Sequence, residues 1–153
     1  MITVLLADDH AIVRDVLRLL LEQAGDIQIV AMAANGKEAV LLAGLHSPNV
    51  AVMDVSMPTM DGIEATKKIR ANYPQTSVLM ISMYDTSAHV QSCLQAGALG
   101  YVLKDQIGDE LLIAVRSIYQ GKQYFSKQIA EIAMSVVAAG MVALAVLIRG
   151  GTS

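Results

Sequence analysis

Three acids, a lysine and a hydroxyl stand where apolar stretches stop. Asp8 and Asp9 follow ITVLLA, Asp54 follows VAVM, Ser82 ends SVLMIS, and Lys104 follows GYVL. A carboxylate closing an apolar run is costly to bury unless something cationic compensates it. Gathered on one rim, Asp8, Asp9 and Asp54 would repel one another, each pair by roughly 4 kcal/mol at about 4 Å and an effective dielectric near 20. One of them would then take up a proton instead. A hard divalent cation removes the conflict. Mg2+ favours oxygen ligands and keeps waters, so one or two of these carboxylates, a backbone carbonyl and a phosphate oxygen would fill its shell. Lys104 adds a flexible ammonium suited to a phosphoryl oxygen, and Ser82 adds a hydroxyl donor. An aspartate nucleophile, a metal, a lysine and a hydroxyl make a site for phosphoryl transfer to a carboxylate.

For these groups to meet, the elements that carry them must end on one side. Apolar strands alternate with amphipathic helices five times: strands at Ile2–Ala7, Ile27–Ala33, Val50–Asp54, Ser77–Ser82 and Leu99–Lys104, helices at Ala11–Ala24, 35–45, Asp61–Ala71, Ser87–Ala96 and Asp109–Gln120. Asn35 with Glu38 three residues on has the pattern of a helix cap with a reciprocal acid. Near-continuously apolar strands in such an alternation predict an α/β, doubly wound, five-stranded parallel sheet, covered on both faces by right-handed crossovers. The Asp pair and Asp54 act together only if the first and third strands are neighbours, where ligands sit in open sheets. Order 2-1-3-4-5, flavodoxin-like, satisfies this and leaves the more polar second strand at an edge.

The bulk properties fit. A chain of 153 residues with 54% hydrophobic content suits one packed domain rather than disorder. A net charge of −3 is no nucleic-acid-binding balance. One cysteine, Cys93, excludes an internal disulfide framework, and no charged-then-apolar leader precedes Ile2, so a cytoplasmic location is expected.

LLADDH at 5–10, Asp54-x-x-Met57-Pro58-x-x-x-Gly62, Ser82 and GYVLKD at 100–105 together resemble the receiver domain of two-component response regulators. The tract from Gln95 to Asp105 is most similar to the NarL/LuxR-type branch, and the likeness extends over about residues 1–134. The resemblance implies that Asp54 accepts the phosphoryl group from a sensor histidine kinase. It gives Asp9, and Asp8 through water, to Mg2+, with the carbonyl of Ser56 as a further ligand, and pairs Lys104 with the phosphoryl group. It makes Ser82 and Tyr101 a switch in which the hydroxyl moves toward the phosphate and the ring turns inward, remodelling a protein surface near the fourth helix and the fifth strand and helix. It also implies a homodimer and, in full-length relatives, control of transcription. Such a domain is a switch and not an enzyme on an external metabolite.

Other readings stand beside these. An aspartyl-nucleophile phosphohydrolase shares the chemistry, but usually carries a second acid soon after the nucleophile, and Val55-Ser56-Met57 offers none. A pseudo-receiver acting only as an interaction module would have no need of the full acid–lysine set. His10, His46 and His89 lack ligand spacing and read as surface or packing residues, although His10 is close to the acidic rim. The receiver is expected over 1–121, with linker and apolar tail over 122–153 in place of a helix-turn-helix output domain, so no DNA contact by this chain is expected. The uncharged stretch Ile132–Ile148 reads as a helical tail buried against the domain or a second copy, or as a truncation remnant. As a membrane anchor it is disfavoured, since about 26 Å of helix falls short of the roughly 30 Å hydrocarbon core.

Overall fold

A computed structural model describes residues 1–136, 138 and 139. Strands β1 (Ile2–Ala7), β2 (Ile27–Ala33), β3 (Val50–Asp54), β4 (Ser77–Ser82), β5 (Gly100–Leu103) and β6 (Tyr124–Phe125) alternate with helices α1 (Ala11–Glu22), α2 (Gly36–His46), α3 (Gly62–Asn72), α4 (Ser87–Gln95) and α5 (Ile107–Tyr119). All strand pairs are parallel, in the order β2-β1-β3-β4-β5-β6. Five strands and their order follow the expectation from sequence. A sixth extends the sheet beyond β5, with Gly100 beside Tyr124 and Tyr101 beside Phe125.

Successive side chains of a strand face opposite ways, which divides the core into two layers. Val4, Leu6, Val50, Val52, Leu79, Ile81 and Val102 pack against Leu17 and Leu21 of α1 and Leu111, Ala114, Val115 and Ile118 of α5. Leu5, Ala7, Ala51, Met53, Val78, Met80 and Tyr101 face Ala39 and Ala43 of α2, Ala65 and Ile69 of α3, and Val90 and Cys93 of α4. Residues 127–136 are helical and add Ile129 and Ala133 to this second layer. Strand β3, central and fully buried, therefore has no alternation to show. Edge strand β2 leaves Gln28 exposed.

Local signals hold at the helix starts. Asn35 caps α2 by accepting from Glu38 N–H at 2.9 Å, and Glu38 returns the contact to Ala34 N–H at 3.0 Å. Helix α1 stops at Glu22, two residues short of the expected Ala24, with Gly25 in the left-handed region at φ +84°. Strand β5 stops at Leu103, because Lys104 opens a 3-10 turn over Lys104–Gln106 that leads directly into α5. No helix among the described residues is long and apolar enough to cross a membrane. The uncharged stretch Ile132–Ile148 lies mostly outside the described residues.

Candidate functional site

The parallel sheet delivers Asp8, Asp54, Ser82 and Lys104 to one rim. Asp8 is the first residue past β1, its backbone N–H bonded to Ala33 O at 3.1 Å; Asp54 ends β3, and Ser82 ends β4 beside Leu103, the last residue of β5. The chain must turn away sharply after Asp54. Thr59 adopts φ +68°, and Gly62 N–H bonds back to Val55 O at 2.9 Å. Gly62 lies so close to the Asp54 carbonyl that any Cβ would strike it. This is the physical reason for glycine eight residues after the acid. Asp61 then caps α3 by accepting from Glu64 N–H at 2.9 Å.

Lys104 Nζ donates to Asp54 Oδ2 at 2.9 Å and lies 3.2 Å from Asp8 Oδ2. The two carboxylates so clamped are almost sealed from water, at 3% and 0% residue exposure. Asp54 Oδ1 accepts from Ser56 N–H at 3.2 Å, and Asp8 Oδ1 from His10 N–H at 2.8 Å. Arg14 of α1 donates to the Asp8 carbonyl. Burial raises both acids, but they end on opposite sides of the usual carboxylate range. At Asp8 the His10 N–H and the Lys104 charge outweigh burial and hold the carboxyl below it. At Asp54 burial wins, helped by the negative charge of Asp8, and the carboxyl is raised despite the Lys104 hydrogen bond. Burial alone would lower Lys104, but Asp54 and Asp8 raise it. The ammonium is firmly charged.

Asp9 is exposed beside this pair, and His10 Nδ1 lies 3.1 Å from Asp9 Oδ1. An open cleft of about 200 Å3 is lined by Asp9, His10, Asp54, Ser56, Met83, Tyr84 and Lys104. With Asp8 buried behind the cleft, the rim sets three carboxylates against the one ammonium of Lys104, leaving two negative charges unbalanced. Asp8 Oδ2 is buried, with the Lys104 ammonium at 3.2 Å as its ion-pair partner. An oxygen-rich, doubly negative rim fits a hard divalent cation.

Ser82 and Tyr101 meet at a different place, the backbone of Tyr84. Ser82 Oγ accepts from Tyr84 N–H at 3.0 Å, and Tyr101 Oη donates to Tyr84 O at 2.6 Å. Tyr101 is 1% exposed, its ring already inside the core, and burial pushes its phenol up to about 12. The Tyr84 ring stacks on His89 with centroids 4.5 Å apart. Reading the sequence found the strand-end groups. It placed His10 close to the rim but missed Arg14, which reaches the Asp8 carbonyl from α1 with no apolar run before it.

The comparisons agree with this geometry. The response regulator receiver domain matches residues 4–116. The oxygen regulatory protein NreC of Staphylococcus haemolyticus is 41% identical over 122 residues, which cover 79% of this chain and 56% of that protein. The chain thus spans about half the length of the curated relatives it matches. A two-component response regulator of the LuxR family from Aurantimonas sp. SI85-9A1 superposes with TM-score 0.82 at 36% identity, covering 87% of this chain and 95% of that one. The signal receiver domain of the putative response regulator NarL from Mycobacterium tuberculosis gives TM-score 0.76 at 36% identity, covering 79% and 98%. With acid pair, buried aspartate and lysine brought together on the rim of a doubly wound sheet, this chain belongs to the response regulator receiver domain family, among relatives of the NarL and LuxR type.

Proposed function

We propose that the domain is a phosphoryl-accepting switch whose acceptor is Asp54. The observation that carries this is the bridge from Lys104 to Asp54 at 2.9 Å and to Asp8 at 3.2 Å, in a cleft open to solvent. An Asp54 oxygen attacks the phosphorus of a histidine phosphoramidate. The new O–P bond forms as the P–N bond breaks, and the departing imidazole nitrogen recovers a proton from water. Lys104 stays within reach of the phosphoryl oxygens and offsets the charge they bring. Asp8 and Asp9, with the carbonyl of Ser56, would hold Mg2+, which supplies charge neutralisation during transfer. Ser82 and Tyr101 would read the new charge through the Tyr84 backbone they share, since a phosphate is a strong acceptor for the Ser82 hydroxyl.

On this reading the donor is a sensor histidine kinase, and the domain forms homodimers and works in the cytoplasm. The relatives' greater length supports a role within transcription-controlling proteins, with DNA contacts made outside this chain. We place the receiver over 1–121 and treat 122–153 as linker and tail. Beryllofluoride, which mimics a phosphoryl group on a carboxylate, should bind only with Mg2+, and acetyl phosphate should add one phosphate that Asp54→Asn abolishes. Undiminished phosphate uptake by Asp54→Asn would refute the assignment, and steady phosphate release from small phosphoesters would favour a hydrolase.

A further inference from the structure

Tyr84 is held at three points, and only two of them belong to the pair Ser82 and Tyr101. Its N–H donates to Ser82 Oγ at 3.0 Å, and its carbonyl accepts from Tyr101 Oη at 2.6 Å. The third hold is the ring, which stacks on His89 with centroids 4.5 Å apart and planes 12° from parallel. This contact lies at the surface. Tyr84 is 46% exposed and lines the open cleft, while His89 is half-buried in the first turn of α4. The imidazole is fixed in turn by the helix start. Its Nδ1 shares a hydrogen bond of 2.6 Å with Thr86 Oγ1, the N-cap hydroxyl of α4, which also accepts from His89 N–H at 3.5 Å. Helix α4 is anchored by Val90 and Cys93, both fully buried.

The stack therefore ties an exposed connection to a fixed helix. Residues 83–86, which join β4 to α4, are all exposed. A connection of that kind holds its backbone only as firmly as its few contacts do. What depends on that backbone is buried. Tyr101 is 1% exposed, and its hydroxyl finds its acceptor in the Tyr84 carbonyl. A buried hydroxyl that loses its acceptor is penalised by desolvation. A Tyr84 carbonyl that swung away would therefore disfavour the inward position of the Tyr101 ring. Resting on the receiver reading, we propose that His89 is a positioning residue of the switch. Its stack on Tyr84 holds the β4–α4 connection where the Tyr84 carbonyl receives Tyr101, and so favours the inward arrangement. A stacked aromatic pair moves a two-state balance by about two- to tenfold.

Fluorotyrosine built into the whole chain reports on its 5 tyrosines by fluorine resonance, and Tyr101→Phe identifies the signal of Tyr101. In His89→Ala that signal should move toward the range of exposed tyrosine. Alanine is the best helix former, so this variant keeps α4. His89→Phe keeps a ring over Tyr84 and should leave the signal in place. With Mg2+, beryllofluoride should bind His89→Ala about two- to tenfold more weakly by calorimetry, because the binding-competent fraction has fallen. Saturation should bring the Tyr101 signal of His89→Ala back to its native position. Mere loosening of α4 would be neither reversed by a ligand at Asp54 nor rescued by phenylalanine. A Tyr101 signal unmoved in His89→Ala, a shift that His89→Phe shares, or an unchanged beryllofluoride affinity overturns the proposal and leaves the receiver reading standing. Failure of the native protein to bind beryllofluoride with Mg2+ removes the receiver reading, and this inference with it.

Discussion

Replacing Lys104 by methionine tests the electrostatic argument most directly. The ammonium is the one cation within 3.2 Å of both Asp8 and Asp54 among the described residues, and the carboxylates' side chains are 0% and 5% exposed. Removing one partner of a buried ion pair costs about 3–5 kcal/mol. Lys104 itself keeps 21% of its side-chain exposure, which puts the expectation at the lower end, about 3 kcal/mol. For a chain of this size that is a fall of about 6–12 °C in Tm. Its pH dependence follows from the sign of the shifts. Without Lys104 both folded-state carboxyls lose a contribution that lowers them, and Asp54, already raised, moves further above its unfolded value near 3.8. The penalty is therefore absent below the unfolded value, grows as pH climbs through the raised folded value of Asp54, and is complete above it. Thermal melts by circular dichroism at about pH 7 should show the full deficit, and melts near pH 5 a smaller one. Asp54→Asn in the Lys104→Met background should recover most of the loss, because one buried charge is then gone. A Lys104→Met variant that melts with the native protein at neutral pH, or a deficit the second substitution leaves untouched, would refute the reasoning.

Alone, Asp54→Asn should raise the Tm of the metal-free protein near neutral pH, since the native carboxyl is raised and its ionised form is the disfavoured one; an equal gain below the carboxylate range would contradict this. Mg2+ at about ten times its Kd should stabilise the native protein by about 1.4 kcal/mol, or about 3–6 °C, and Asp9→Asn should lose that increment. Gly62→Ala should be among the most damaging small changes, by about 3 kcal/mol or more, because the new Cβ has no room beside the Asp54 carbonyl; a denaturant midpoint within error of the native one would dismiss it. Tyr101→Phe keeps the ring and removes the hydrogen bond to Tyr84 O, so a loss of about 1 kcal/mol is expected in chemical denaturation.

Much of this molecule is legible in its sequence for a specific reason. A parallel strand buried on both faces must be apolar throughout, so an acid or lysine that ends one marks both the strand boundary and the rim. Asp54, Ser82 and Lys104 were found in that way. Strand β6 was not, because two residues, Tyr124 and Phe125, carry no periodicity, and their pairing depends on β5 being already in place. His10 is the exposed residue close to the rim that the sequence suggested, but its contacts were not legible. Ligand spacing along a helix says nothing of a ring that folds back on the two residues before it, as Nδ1 does on Asp8 and Asp9. The opposite displacements of the Asp8 and Asp54 carboxyls depend on how burial balances against the His10 N–H and Lys104 at each, and no pattern of residue types encodes that balance.

Strand β5 couples the rim to the chain that follows it. Ser126 donates its N–H to the Tyr101 carbonyl and accepts the Leu103 N–H on Oγ, both at 3.0 Å. Those two bonds straddle Val102, two residues before Lys104, and the helix over 127–136 starts at the residue after Ser126. A displacement of the Tyr101 backbone would therefore reach Ser126 directly, through the one bond they share. On the proposed switch, the direction in which the backbone departs at residue 127 would follow the state of the acid–lysine notch.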